Sequence, residues 1–106
     1  MQIDELNKFT LLFDCYGKLL SDKQYKVMDK FLNLDISESE MAELENGSRQ
    51  AIHDAITKAK KQLLEFETKC GFVKQKNELI KNLQSLSEVT KDAETKEELK
   101  KIITKI

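Results

Sequence analysis

No proline occurs anywhere in this chain, and only three glycines, Gly17, Gly47 and Gly71, interrupt it. Proline removes a backbone donor and clashes with the preceding helical turn, whereas the Lys, Glu, Leu, Ile and Ala that dominate here lose little on entering a helix. The chain is therefore free to be helical almost throughout, and its glycines become candidate helix ends. An all-α fold is the expectation.

Apolar residues recur at the spacing this requires. Leu6, Phe9, Phe13, Tyr16 and Leu20 fall on one face of a first helix starting near Asp4, with Gly17 loosening its last turn. Ser21-Asp22-Lys23-Gln24 reads as a capping box, in which a serine hydroxyl accepts from the backbone three residues on while the glutamine reaches back. The second helix that follows is expected to bury Tyr25, Met28, Phe31 and Leu32. The same signature returns at Ser37-Glu38-Ser39-Glu40, opening a short third helix that buries Met41 and Leu44 and stops at Asn46-Gly47, a pair suited to positive φ. Ser48 then caps a much longer fourth helix, whose stripe runs Ile52, Ala55, Ile56, Ala59, Leu63, Phe66 and Cys70 before Gly71 offers a stop.

Beyond Gly71 the composition shifts. Residues 72–106 hold eight lysines against six acids, whereas residues 1–71 hold ten basic groups against thirteen acids. Phe72, Val73, Leu79, Ile80, Leu83 and Leu86 predict a fifth helix, and Leu99, Ile102, Ile103 and Ile106 a sixth after the polar Thr90-to-Thr95 stretch. Two roles are open to these thin amphipathic helices: a stalk or oligomer contact, and a lid packed on the chain's own core. The expected organisation is a domain over residues 1–73 and a C-terminal helical extension over 74–106 that packs on the core or mediates a homodimer.

Several function classes are disfavoured. With nineteen acidic residues against eighteen basic ones, the formal charge of -1 lacks the overall field of a non-specific nucleic-acid binder, so nucleic-acid contact has to come from a local patch. Cys15 and Cys70 stand far apart with one histidine in the chain, which predicts two buried thiols in a reducing cytoplasm, with no disulfide framework and no metal site. The N-terminal residues lack a basic stretch followed by an apolar one, and no apolar run approaches the roughly 18–20 residues that span a bilayer, so neither secretion nor membrane insertion is expected. No Ser, His and acid arrangement and no Gly-rich phosphate loop surrounds His53, so neither catalytic residues nor a cofactor are expected.

What remains is an arrangement. A short capped helix, a tight turn and a longer helix lie within about 45 residues, the layout of a helix-turn-helix whose second helix enters the major groove. Ala42 supplies the small side chain that lets the second helix cross closely, and Asn46 or Gly47 supplies the left-handed turn residue. Turning the fourth helix by about 100° per residue places Gln50, Asp54, Thr57 and Lys61 opposite its apolar stripe, with Arg49, His53 and Lys60 on one shoulder and Lys58 on the other. The candidate DNA-binding residues are Ser48, Arg49, Gln50, His53, Thr57, Lys58, Lys60 and Lys61. Arg49 and Gln50 match guanine and adenine edges, and the lysines suit phosphates; the alternative is a plain solvated helix face. The third helix carries Glu38, Glu40, Glu43 and Glu45 with no basic group, so counterion release is small and DNA binding is expected to be weak and salt-sensitive.

The segments Phe13-Asp14-Cys15-Tyr16-Gly17-Lys18-Leu19-Leu20-Ser21-Asp22-Lys23-Gln24 and Ser48-Arg49-Gln50-Ala51-Ile52-His53-Asp54 resemble the YlxM family of small bacterial helix-turn-helix proteins. That family is similar to the fourth, promoter-reading region of sigma factors, and its members are typically encoded beside signal recognition particle genes. The resemblance covers about residues 5–73. It implies a sigma-like helix-turn-helix bundle without a wing, a long recognition helix beginning at Ser48, Arg49 and Gln50, and a regulatory protein linked to the signal recognition particle pathway. His53 stands where the family has Tyr, Glu45 where it has an apolar residue, Asn46 where it has Gly, and Gly47 where it has Val or Ile. Losing two apolar contacts predicts looser packing between the two motif helices, by on the order of 1–3 kcal/mol.

Two hypotheses follow. In the first, the chain is a DNA-binding regulator acting through Arg49, Gln50, His53 and the following lysines. In the second, the same surface or the tail helices contact signal recognition particle components, without DNA. An enzyme ranks third.

Overall fold

The computed structural model describes residues 2–106. Among them are six α-helices and no strand: α1 (Ile3–Tyr16), α2 (Asp22–Leu32), α3 (Glu38–Leu44), α4 (Arg49–Cys70), α5 (Phe72–Val89) and α6 (Ala93–Lys105). The chain divides into two compact units, Met1–Cys70 and Gly71–Ile106.

In the first unit α4 is the hub, packing against α1, α2 and α3. Its buried stripe is Ile52, Ile56, Ala59 and Leu63, spaced by three and four as one helix face requires. Against it lie Phe9, Leu12, Phe13 and Tyr16 of α1, Val27 and Met28 of α2, and Met41 and Ala42 of α3. Ala59 is fully buried, which lets the helices approach closely where a longer side chain would hold them apart. Tyr16, almost wholly buried, packs its ring 6.0 Å from that of Phe66 and donates its hydroxyl to Glu67, so the polar tip of a core aromatic is satisfied at the core edge.

The helix ends follow from local chemistry. A single 3₁₀ turn, Gly17–Leu19, closes α1, and there a Cβ on Gly17 would lie 3.0 Å from two ring atoms of Phe13. Glycine is needed here for close approach, since its φ of -53° is open to any residue. At the start of α2 both halves of the capping box form: the Gln24 amide donates to Ser21 Oγ at 3.2 Å and the Ser21 amide to Gln24 Oε1 at 3.3 Å. The Glu40 amide donates to Ser37 Oγ and the Ala51 amide to Ser48 Oγ, each at 3.1 Å, capping α3 and α4. Gly71 takes φ 67° at the end of α4.

Four sequence expectations change. Leu20 reaches the core from an extended residue after the 3₁₀ turn rather than from a continued first helix. Tyr25 is 37% exposed, its ring resting 5.0 Å from Phe13 at the core margin, while Val27 joins Met28 inside. In α3, Ala42 takes the inner place expected of Leu44, which is 68% exposed. With only seven residues, α3 presents one turn to α4, and the adjacent pair Met41 and Ala42 fills it. Both cysteines are exposed: Cys15 lies between the buried Phe13 and Tyr16 but on the opposite side of α1, and Cys70 occupies the last turn of α4.

The second unit is a helical hairpin of α5 packed on α6. Its connection is shorter than the polar stretch the sequence marked, because Asp92 caps α6 by accepting from the Glu94 amide at 3.3 Å and from the Thr95 hydroxyl. Leu99 is its one buried residue. No helix among the described residues is long and apolar enough to cross a membrane.

Candidate nucleic-acid interface

The turn between α3 and α4 sets the geometry of this face. Glu45 ends α3, Asn46 follows at φ 52°, the Gly47 amide donates to the Ala42 carbonyl at 3.0 Å, and the Asn46 amide points to the Glu43 carbonyl at 3.4 Å. These two bonds, one spanning five residues and one spanning three, make a Schellman turn with its left-handed position filled by asparagine, which tolerates that region better than other side chains. Of the two residues offered for that place, Asn46 takes it and Gly47 does not.

The expected loosening of the motif has structural counterweights. Glu45 is not left in an apolar site: its Oε1 lies 3.1 Å from Lys30 Nζ, tying the end of α3 to α2. His53 Nδ1 stands 3.1 Å from Glu38 Oε1 and 3.2 Å from Oε2, joining α4 to the start of α3. Such surface pairs contribute only about 0–1 kcal/mol each, so they orient the motif helices more than they stabilise them.

Of the candidate residues, Ser48 caps α4, and Arg49, Gln50, His53, Thr57, Lys58 and Lys61 are all exposed along it. Arg49, Gln50 and His53 share with Glu38 a shallow depression of about 350 Å³ at the mouth of the motif. Gln50 donates one amide hydrogen to Asp54 Oδ1 at 2.9 Å, leaving its carbonyl oxygen and second N–H for a base edge. Lys60 does not join this face. Its ammonium lies 5.2 Å from the ring centre of Phe9, 5.6 Å from that of Phe31 and 4.0 Å from Glu5, so it bridges α1 and α2 across the side of α4. The helical angle alone could not show that two aromatics draw its ammonium away from that face.

A lysine the sequence reading passed over, Lys23, lies across α4 from the acidic helix. With Ser21, Gln24, Lys58 and the acidic Asp54 it lines a second depression, of about 400 Å³, floored by Ala51 and Ala55. The signal was its place inside a capping box, at the amino end of a helix. The exposed face of α4 is thus flanked unequally, by Lys23 and Lys58 on one side and by the glutamates of α3 on the other.

A short helix, a left-handed turn residue and a longer helix whose first turn exposes Arg and Gln define a helix-turn-helix protein. The chain belongs to the UPF0122 family, described as "Putative helix-turn-helix protein, YlxM / p13 like", whose sequence profile matches residues 3–104. A UPF0122 protein of Clostridium novyi is 41% identical over 82% of this chain and 76% of the relative. One from Thermoanaerobacter sp. strain X514 is 36% identical over 97% and 91%, and one from Clostridium perfringens strain SM101 is 37% identical over 92% and 89%. The match runs through α5 and α6 as well as the motif, beyond the segment of residues 5–73 that carried the resemblance.

Proposed function

We propose that this chain is a DNA-binding regulator that lays the amino-terminal half of α4 into the major groove. The observation that carries the reading is the Schellman turn at Asn46 followed directly by the Ser48 cap, because together they present Arg49 and Gln50 at the leading end of a long, rigid helix. Arginine pairs in bidentate fashion with guanine O6 and N7, and a glutamine whose carboxamide is held by a neighbour meets adenine N6 and N7 with less rotamer freedom to lose. Lys58 and Lys61 are placed for phosphates. Lys23 and the capped start of α2 offer a further backbone contact on the same side, while the glutamates of α3 push the opposite phosphate strand away.

The consequence is an off-centre docking of modest affinity and steep dependence on salt. The test is binding to duplexes selected from a random pool across a salt series. Selective binding that weakens with salt and falls by about 1–3 kcal/mol in Arg49→Ala supports the reading. No binding even at low salt overturns it.

One observation favours a second reading. Glu40 and Glu43, exposed on one side of α3, suit a basic protein segment, so an interaction module acting on signal recognition particle components without DNA is the alternative. Co-purification of those components by a protein that binds no DNA would establish it. Either role fits a cytoplasmic protein.

A further inference from the structure

Gln50 and Asp54 stand about one turn apart on the exposed face of α4, and Gln50 Nε2 donates to Asp54 Oδ1 at 2.9 Å. A carboxylate only accepts, so the nitrogen end of the carboxamide has to face it, and chemistry fixes which way the amide lies. Gln50 borders the depression it shares with Arg49 and His53, while Asp54 borders the one that holds Lys23 and Lys58. The pair thus links the two depressions.

A free glutamine carboxamide serves either purine. Its two hydrogens reach the two acceptors of guanine, O6 and N7, whereas its oxygen and one hydrogen match the donor N6 and the acceptor N7 of adenine. With one Nε2 hydrogen held on Asp54, the oxygen and a single hydrogen remain. Adenine is still met in full. Guanine is not, because the Gln50 oxygen then faces O6 with no hydrogen between them, and an acceptor left unpaired in a closed interface is costly.

We infer that Asp54 is a positioning residue that makes Gln50 read adenine and refuse guanine. It acts through the carboxamide and needs no base contact of its own. This role rests on the reading of α4 as a helix that enters the major groove, and adds to it the base that one position selects. The same carboxylate opposes the phosphates that Lys23 and Lys58 attract. Selectivity and affinity therefore pull in opposite directions at Asp54, and its removal should strengthen binding while blurring it.

The test uses the full-length protein and a duplex selected by it from a random pool, remade with each of the four base pairs at every position. Gln50→Ala identifies the position that Gln50 reads, as the one whose preference it abolishes. There the wild type should favour adenine over guanine by about 5-fold or more. Asp54→Ala should bind the guanine duplex more tightly and narrow that ratio by about threefold or more, a gain that a disturbed fold would not give. Asp54→Asn, which loses the charge and keeps an acceptor oxygen for Gln50, should preserve the ratio. An unchanged ratio in Asp54→Ala, or an equal narrowing in Asp54→Asn, overturns the positioning role and leaves DNA reading by α4 intact. A wild type that binds no duplex overturns both.

Discussion

The Gly47 amide reaches back over 3.0 Å to the Ala42 carbonyl, and the chain between them can close only because Asn46 sits at φ 52°. That one hydrogen bond sets where α3 stops and the direction in which α4 leaves. Asn46→Gly should therefore keep the turn and change stability little, while Asn46→Val, forced into a region β-branched residues avoid, should cost about 1–2 kcal/mol. Urea denaturation of the two variants checks this, and equal destabilisation by both would contradict it.

Gly17 is a packing glycine. A Cβ there would lie 3.0 Å from the ring of Phe13, closer than ordinary contact, and that buried ring has Tyr25 5.0 Å away and little room to give. Gly17→Ala should destabilise the first unit by about 1–3 kcal/mol, the usual cost of overpacking, although alanine is the better helix former. A thermal melt above that of the wild type would refute this account.

Lysines on α4 should divide by role. Lys60→Ala removes an ammonium held over Phe9 and Phe31 and should lower stability by about 0.5–2 kcal/mol without altering DNA affinity. Lys58→Ala and Lys61→Ala, on exposed side chains, should leave stability alone, weaken binding equally across sequences and reduce the salt slope by about 1 each. Melting curves and salt titrations on the three variants separate the roles.

Acid should loosen α6 first at its cap. The Thr95 hydroxyl, and then the Glu94 amide, hold the Asp92 carboxyl below its ordinary value of 3.8. A carboxylate whose folded pKa is depressed stabilises the helix fully above its unfolded value and loses that contribution as pH falls through the folded one. The protection of the Glu94 and Thr95 amides, taken relative to the intrinsic exchange rate at each pH, should thus fall on acidification below the ordinary carboxylate range, and Asp92→Asn, which caps without ionising, should flatten the response.

The sequence made three helix starts plain, since Ser21, Ser37 and Ser48 each cap by contacts within three residues, and Gly71 marked one end, while the Asp92 cap of α6 went unread. Local chemistry is written locally. Which side chains fill a short helix is not: Ala42 displaces Leu44 and Val27 joins Met28 because the neighbouring helices, far off in sequence, set the angle of approach. The candidate face was legible as angles along α4. The turning of Lys60 into an aromatic pair, the pairing of His53 with Glu38 and the place of Lys23 depend on tertiary contacts and had no sequence period to announce them.

The most direct test of the recognition face is a map of backbone amide shifts as a duplex selected for binding is titrated into isotopically labelled protein. The account predicts the largest changes from Ser48 to Lys61 on the exposed side of α4, with smaller ones at Ser21–Gln24 and little along α3. Changes confined to α5 and α6, or none at all, would contradict it.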